Sequence, residues 1–490
     1  MGYSIRTTKT ASGARAIQVV SYLHRKVIVH KHLGSATSDS RLNELRAEAA
    51  TWIQNIPPQA SLFTTSPELS VLETHYTYQG FRYTYAYQVL NKLCERLQFT
   101  TLKSSLLVDL VIVRIFEPAS KLRSIAHLAH YFGINYTEKT LYRALPRFPK
   151  LKDAVETQLV SVAQSEFGFD FSFVLYDVTT LYFETFASDD LRKPGFSKDN
   201  KSQQPQIVVG LMVTPQGFPV SYEVFAGNIF EGKTFLPSIL AFKERHEIQT
   251  LTIVADAAML SAENMKQLVE QKLTYIVGAR LGNISNELRS RIDTKLVRTD
   301  GHTMRTHSLQ GTLVCGYSKK RYSKDLYEMN KQIAKAEAQV TTPSKLKRTK
   351  FVSTSQDTVL LNDELIAKTK KLLGVKGYYT NLVDTSDADI ITHYHSLWNV
   401  EQAFRIAKSD VVSRPIFHRK EDSIRAHMLI CIMALAVSKY IELKTGQSIR
   451  SVLDLLKQVS DAVIVHRTTG KTMTLRSPIP DELVGITGRL

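Results

Sequence analysis

The chain has 490 residues, 43% of them hydrophobic and 22% charged, with 63 Lys and Arg against 46 Asp and Glu for a formal net charge of +17. That length implies three or four folded units, and the balance is that of a globular protein, which excludes a disordered or fibrous chain. The basic excess favours a polyanionic partner, because each phosphate neutralised releases a condensed counterion and adds affinity. Cys94, Cys315 and Cys431 stand far apart with no CxxC or Cys/His spacing, which argues against disulfides or structural zinc and fits a reducing cytoplasm. The opening MGYSIRTTKTASG lacks the apolar core of a signal peptide. The longest apolar run, Met428 to Val437, is about half the ~20 residues a bilayer requires, so it predicts a core helix and no membrane partner.

In chain order, residues 14–35 predict a β-hairpin with scattered basic residues, followed by a helix over 38–53 with Leu42, Leu45 and Ala49 on one face. A Pro/Ser/Thr-containing connector follows over 55–80, and the pattern is helical from 83 to 164. Within that block, KLRSIAHLAHYFGINYTEKTLYRAL places a glycine turn at Gly133 before a helix capped by Thr137 that carries Lys139 and Arg143. This matches a helix-turn-helix whose second helix contacts DNA. An ordinary helical hairpin uses the same glycine and cap, and both readings stay open.

From 170 the pattern changes to strands: FSFVLYD, IVVGLMV, PVSYEVF after the turn TPQG, LTIVAD and TYIVGAR, with helices near 233–245 and 261–271. That order describes a mixed α/β sheet covered by helices. Residues 281–385 show short β-like pieces around a basic run. Between Ser318 and Lys350 ten Lys/Arg, among them Lys319, Lys320, Arg321 and Lys324, face three acids, a net +7 interleaved with Tyr317, Tyr322 and Tyr327. Cations with aromatics suit phosphate contact and base stacking; a solvated helix is the plainer alternative.

Two hydrophobic strands end in carboxylates, Asp177 and Asp256, where ligands gather in open α/β sheets. A turn-forming Asp is common at such a place, but two in one sheet are less so. A helix expected from Ser386 onward, with Asp389 completing its cap, carries Tyr394, Glu401 and Lys408 seven residues apart on one stripe, with Glu401 partly buried beside an apolar face. Three carboxylates are a hard-oxygen donor set suited to two Mg2+ ions, with Mn2+ as a substitute, and such ions act on phosphodiesters.

The stretch Tyr394-x2-Leu397-x3-Glu401-x6-Lys408 resembles the Tyr-Arg-Glu-Lys signature of bacterial insertion-sequence transposases of the IS-four-like superfamily. So do YDVTTLYFE, GFSKDNKSQQPQIVVGLMV, GFPVSYEVFAGN, IVADAAMLS and LWNVEQAFRIAKSDVVSRPIFHRKEDSIRAH, which together span roughly 170–430 and are most similar to the IS-sixteen-thirty-four subgroup. The resemblance implies an α/β fold with an RNase H-like catalytic core, a β-rich insertion after its fifth strand, and a mainly helical DNA-binding region before it. It implies Asp177, Asp256 and Glu401 as catalytic metal ligands, and Tyr394 and Lys408 as phosphate contacts. It also implies Mg-dependent cleavage at transposon ends, strand transfer into target DNA, and a homodimer assembled on DNA in the bacterial cytoplasm, at the nucleoid. Leu397 stands where the signature has Arg, and Arg405, one turn after Glu401, is a candidate replacement. The expected organisation is 1–80 hairpin and helix, 81–168 helical DNA-binding, 169–280 first core part, 281–385 basic insertion, 386–440 second core part and 441–490 C-terminal region. The alternatives are a two-metal endonuclease without strand transfer and a catalytically decayed DNA-binding regulator.

Overall fold

The computed structural model describes residues 3–23, 26–54, 74–196, 203–259, 261–308, 310–341, 349–355 and 358–490. Most of the expected connector, residues 197–202, and Lys345, Lys347 and Arg348 of the basic run lie outside the described residues. The chain forms two compact units, Met1–Tyr78 with Ile464–Met473, and Gln79–Val463 with Thr474–Leu490.

In the first unit, strands β1 (Ser4–Lys9), β2 (Arg15–Leu23) and β3 (Lys26–Ala36) form an antiparallel sheet in that order. Helix α1 (Asp39–Gln54) buries Leu42, Leu45 and Ala49 against Ile17 and Val19 of β2. The spacing of three and four residues puts those side chains on one stripe, as the periodicity predicts.

Strand β4 (Tyr76–Arg82) spans the start of the second unit at Gln79, whose first helices are α2 (Thr84–Arg96), α3 (Ser105–Phe116), α4 (Lys121–His127), α5 (Glu138–Ala144) and α6 (Lys152–Phe167). Helix α3 is buried from Leu106 to Phe116 and apolar except for Asp109 and Arg114, close to the pattern of a central core helix. After α4, a π-helical turn over Leu128–Phe132 ends at Gly133, whose φ of +74° suits a residue without Cβ. Helix α5 starts at Thr137, whose hydroxyl accepts from the Thr140 amide at 3.1 Å.

The centre of the unit is an eight-stranded sheet. Its strands are β5 (Phe173–Tyr182), β6 (Gln206–Val213), β7 (Pro219–Ala226), β8 (Thr252–Ala255), β9 (Thr274–Ala279), β10 (Thr303–Ser308), β11 (Gly311–Tyr317) and β14 (Val375–Thr380), in the order β10-β11-β14-β9-β8-β5-β6-β7. Only β8 pairs in parallel, with β5 and β9. Helices α7 (Glu231–Arg245) and α8 (Ala262–Glu270) connect β7, β8 and β9. Strands β5 to β9 lie where the alternation and turn signals put them.

The segment between β9 and residue 386 is mixed, not simply β-rich. It holds α9 (Asn286–Lys295), β10, β11, α10 (Lys319–Thr341), the hairpin β12 (Val352–Ser355) and β13 (Thr358–Leu361), α11 (Asp363–Lys370) and β14. The basic run forms α10, because Leu326, Met329, Ile333 and Ala336 recur at helical spacing and pack with Phe351 and Leu373 in a small core of their own. The dense charge conceals that stripe in the sequence.

The helix expected from Ser386 is two helices, α12 (Asp387–His395) and α13 (Trp398–Ser409). At the joint, Leu397 N bonds Tyr394 O and Val400 N bonds Leu397 O, at 3.1 Å each, so the ladder tightens from i−4 to i−3. Helix α14 (Glu421–Thr445) is long and apolar enough to cross a membrane, but 89% of its apolar window is buried inside the protein. The chain closes with α15 (Ile449–Leu456), β15 (Asp461–His466), β16 (Thr472–Arg476) and α16 (Asp481–Thr487).

Candidate active site

Strand β5 does not end at Asp177; it continues to Tyr182, paired with β6 throughout. What ends there is its parallel neighbour. Tyr176 pairs with Ala255, the last residue of β8, so Asp177 and Asp256 occupy the next position on adjacent strands. Adjacent strands run about 4.8 Å apart, and residues in parallel register project to the same side. The preceding residue, Tyr176, turns the other way, its hydroxyl 2.9 Å from Thr234 Oγ1 of α7. The two aspartates therefore share the sheet face opposite α7, where α12 packs on β8 and β9, and α13 on β5 and β6. Asp177 is half-buried and Asp256 exposed.

Tyr394 of α12 reaches that face. Its hydroxyl donates to Asp256 Oδ1 at 3.0 Å. Burial, then the charge of Asp256 and the hydrogen bond to it, hold the phenol proton far above its usual range, so Tyr394 is a fixed donor. The space for this hydroxyl comes from Gly278 on β9, where a Cβ would stand 2.4 Å from it.

Glu401 lies in the first turn of α13, whose Val400, Ala403, Phe404 and Ala407 are buried. Glu401 itself is exposed, not partly buried as its stripe suggested, because the break at Leu397 resets the face that α13 presents. Its charge still acts on Tyr394 and on Lys376, the two groups that also feel Asp256. Among the described residues no three acidic, His or Cys side chains are gathered closely enough to chelate an ion as they stand. Asp177 and Asp256 are register neighbours, and Glu401 is linked to them through Tyr394 and Lys376, on which both it and Asp256 act.

Lys376, which sequence reasoning missed, stands in this group. It lies on β14, half-buried, with Nζ 4.4 Å from the centre of the Tyr394 ring. Burial, with Arg321 nearby, lowers its pKa, while Asp256 and Glu401 act to raise it. The sequence signal is a single lysine in the otherwise uncharged strand VKGYYT, two residues before Tyr378 on the same face. Arg321 of α10 also acts on Tyr378, whose phenol is pushed up to about 12 by burial. All four basic residues chosen from the run are exposed along α10; Arg321, ion-paired with Asp325 at 3.3 Å, is the one that lines a cavity with Lys376.

Lys408 is half-buried and lines a narrow cleft with Thr179 and Leu211. Leu211 is the register partner of Asp177, so Lys408 lies beside the strand positions that flank that aspartate. Arg405 is exposed on α13. Lys139 and Arg143 are exposed on α5. Leu397 is a core residue, 7% exposed, which explains why no cation stands there. The histidines of α12 pack on aromatic rings: His393 stacks on Phe173 at 3.6 Å, and His395 meets Tyr378 edge-on. Asp189 is used within its own turn, accepting from the Leu191 and Arg192 amides.

The family model described as "Transposase DDE domain" matches residues 168–437, more than half the chain and the whole of this site. The chain belongs to the transposase DDE-domain family. A solved structure similar to this chain is the "piggyBac transposase synaptic complex with hairpin DNA", determined by cryo-EM, with 12% identity and a TM-score of 0.37. The similarity covers 65% of this chain and 59% of that one, less than two thirds of its length. No curated protein sequence matches this family member.

Proposed function

We propose that this DDE-domain protein is a DNA transposase that cuts at transposon ends and transfers the freed strand into target DNA. The observation that carries the reading is the pair Asp177 and Asp256 at one register level on one sheet face, with Tyr394 holding Asp256, within a DDE-family match. The core is of the RNase H-like kind, and the chain is closest in character to the IS-four-like superfamily and its IS-sixteen-thirty-four subgroup.

The donor set is hard oxygen, which fits Mg2+ or Mn2+. When bound by Asp177, Asp256 and Glu401, two such ions would supply an activated oxygen nucleophile and charge relief at the leaving oxygen. Glu401, on a helix seated by four apolar side chains, has to swing or settle toward the aspartates to complete the set. Tyr394 orients Asp256 through its fixed hydrogen bond instead of offering its hydroxyl to DNA. Lys376, Arg321 and Lys408 are the cations around the carboxylates, and we assign them the phosphate oxygens of the scissile strand. In cleavage, water attacks phosphorus and the 3′ oxygen leaves as a hydroxyl; in transfer, that hydroxyl attacks a target phosphodiester. Lys319, Lys320 and Lys324 contact flanking DNA, as do Lys139 and Arg143 of the helical region, with two protomers paired on the ends.

The test is incubation of the full chain with the DNA that flanks its reading frame and Mg2+. Cleavage plus a joined product is expected, with both lost and DNA binding kept in Asp177→Ala. Cleavage without joining makes the protein an endonuclease; activity unchanged in Asp177→Ala removes the carboxylates from the chemistry.

A further inference from the structure

A second cationic feature lies outside the carboxylate face, where α3, α4 and α5 meet the loop after α13 and helix α14. A cavity of about 340 Å³ there is lined by Arg114, Lys121, Tyr142, Phe417, His418 and His427, among others. Arg114 and Lys121 are each only 4% exposed. Neither has a carboxylate partner among the described residues, and Arg114, Lys121, His418 and His427 line the cavity with Tyr142 as the one further titratable group. Charges buried in proteins are paired or bound to a counter-ion, because an unpaired one is costly.

The internal hydrogen bonds do not remove the imbalance. Arg114 donates to the carbonyls of Ala119 and Val412, yet its Nε is buried with no partner among the described residues. His427 Nε2 lies 3.0 Å from the Ser413 carbonyl, which can only accept, so that nitrogen carries the proton and Nδ1 is a lone pair. Lys121 Nζ donates to Nδ1 at 3.1 Å. The ammonium thus keeps further protons for another acceptor. Burial first, and then Arg114, lowers the Lys121 pKa to about 7, the direction expected of a lysine facing cations with no anion in place.

The rim indicates which anion. Tyr142 on α5 is 57% exposed and lines the cavity. It lies three residues after Lys139, so one exposed cation shares the helix face at the mouth. We propose that this cavity is an anion site that takes a backbone phosphate of bound DNA, with Lys121 as its direct donor and Arg114 supplying the second charge. Its character as a phosphate site stands independently; its assignment to DNA rests on the function proposed above.

Inorganic phosphate titrated into the full chain by calorimetry tests the site. The wild-type chain binds it, and Lys121→Met weakens binding at least tenfold. Tyr142→Glu, an exposed change that leaves the core untouched, does the same by placing a carboxylate at the mouth. No binding by the wild type, or equal binding by both variants, overturns the proposal. In a second arm, the slope of log affinity for duplex DNA against log salt becomes shallower by about 0.9 in Lys121→Met, the loss of one phosphate contact. Phosphate binding lost with an unchanged slope overturns the DNA assignment and makes the cavity a free-phosphate site. Cleavage of flanking DNA by the wild type is scored in parallel. A chain that shows the phosphate signature and cuts nothing sinks the transposase reading and leaves the cavity standing.

Discussion

Tyr394 sits at the meeting point of the carboxylate face: its hydroxyl holds Asp256, its ring carries Lys376, and its hydroxyl occupies the place a Gly278 side chain would take. Gly278→Ala therefore forces the tyrosine or the strand to move, an overpacking cost of about 1–3 kcal/mol. Chemical denaturation should show that loss, and Tyr394→Phe in the same chain should recover part of it, because the hydroxyl at 2.4 Å is the nearest clash while the ring carbon behind it stays at 3.0 Å. Recovery is read from a double-mutant cycle, and additive losses would mean the two residues do not couple. Lys376→Met keeps the stem and removes the charge beside Asp256 and Glu401. The expected result is a fall of roughly tenfold or more in cleavage rate, worth about 1.4 kcal/mol per tenfold, with a salt slope of duplex affinity shallower by about 0.9, the loss of one phosphate contact. An unaltered rate would place Lys376 in packing alone.

At the scale of elements, the joint between α12 and α13 decides what the site can hold. Leu397 lies in the i−3 turn there and is buried in the core. Leu397→Arg would bring an unpaired charge into that core at about 3–5 kcal/mol, visible as an early unfolding midpoint, and is expected to lower cleavage instead of raising it. A stable, more active variant would show that the position can open toward DNA. The expectation of one continuous helix failed here for a physical reason. Ser386 does cap α12, accepting from the Asp389 amide at 3.1 Å, but seven-residue spacing cannot reveal a tightening of the ladder by one hydrogen-bond step. The same limit applied to α10, where Leu326, Met329, Ile333 and Ala336 form a helical stripe under a dense run of charge.

For the molecule as a whole, the net charge of +17 is the relevant quantity. Lys319, Lys320 and Lys324 are exposed along one helix start and make no ion pair with an acid among the described residues. Replacing all three by Ala should leave stability nearly unchanged. It should also make the salt slope of DNA affinity shallower by about 2.7, since each phosphate contact contributes about 0.9. A smaller change would mean these lysines face solvent when DNA is bound.

Hydrophobic alternation, turn residues and caps are local properties, so the sequence by itself determined the strands β5 to β9, the helices between them, and the two carboxylates that follow FSFVLY and LTIVA. It also marked Leu397 as a departure from the signature. Only the tertiary structure decided that Asp177 and Asp256 share one register level, since strand pairing is set by contacts between segments 79 residues apart in numbering. It alone brought Lys376 to that face, set Arg321 beside it and left Glu401 exposed, because the packing of β14 and the break in the helix are not encoded in any one window of the chain. And it alone gathered Arg114, Lys121, His418 and His427, drawn from separate helices and a loop, around one cavity.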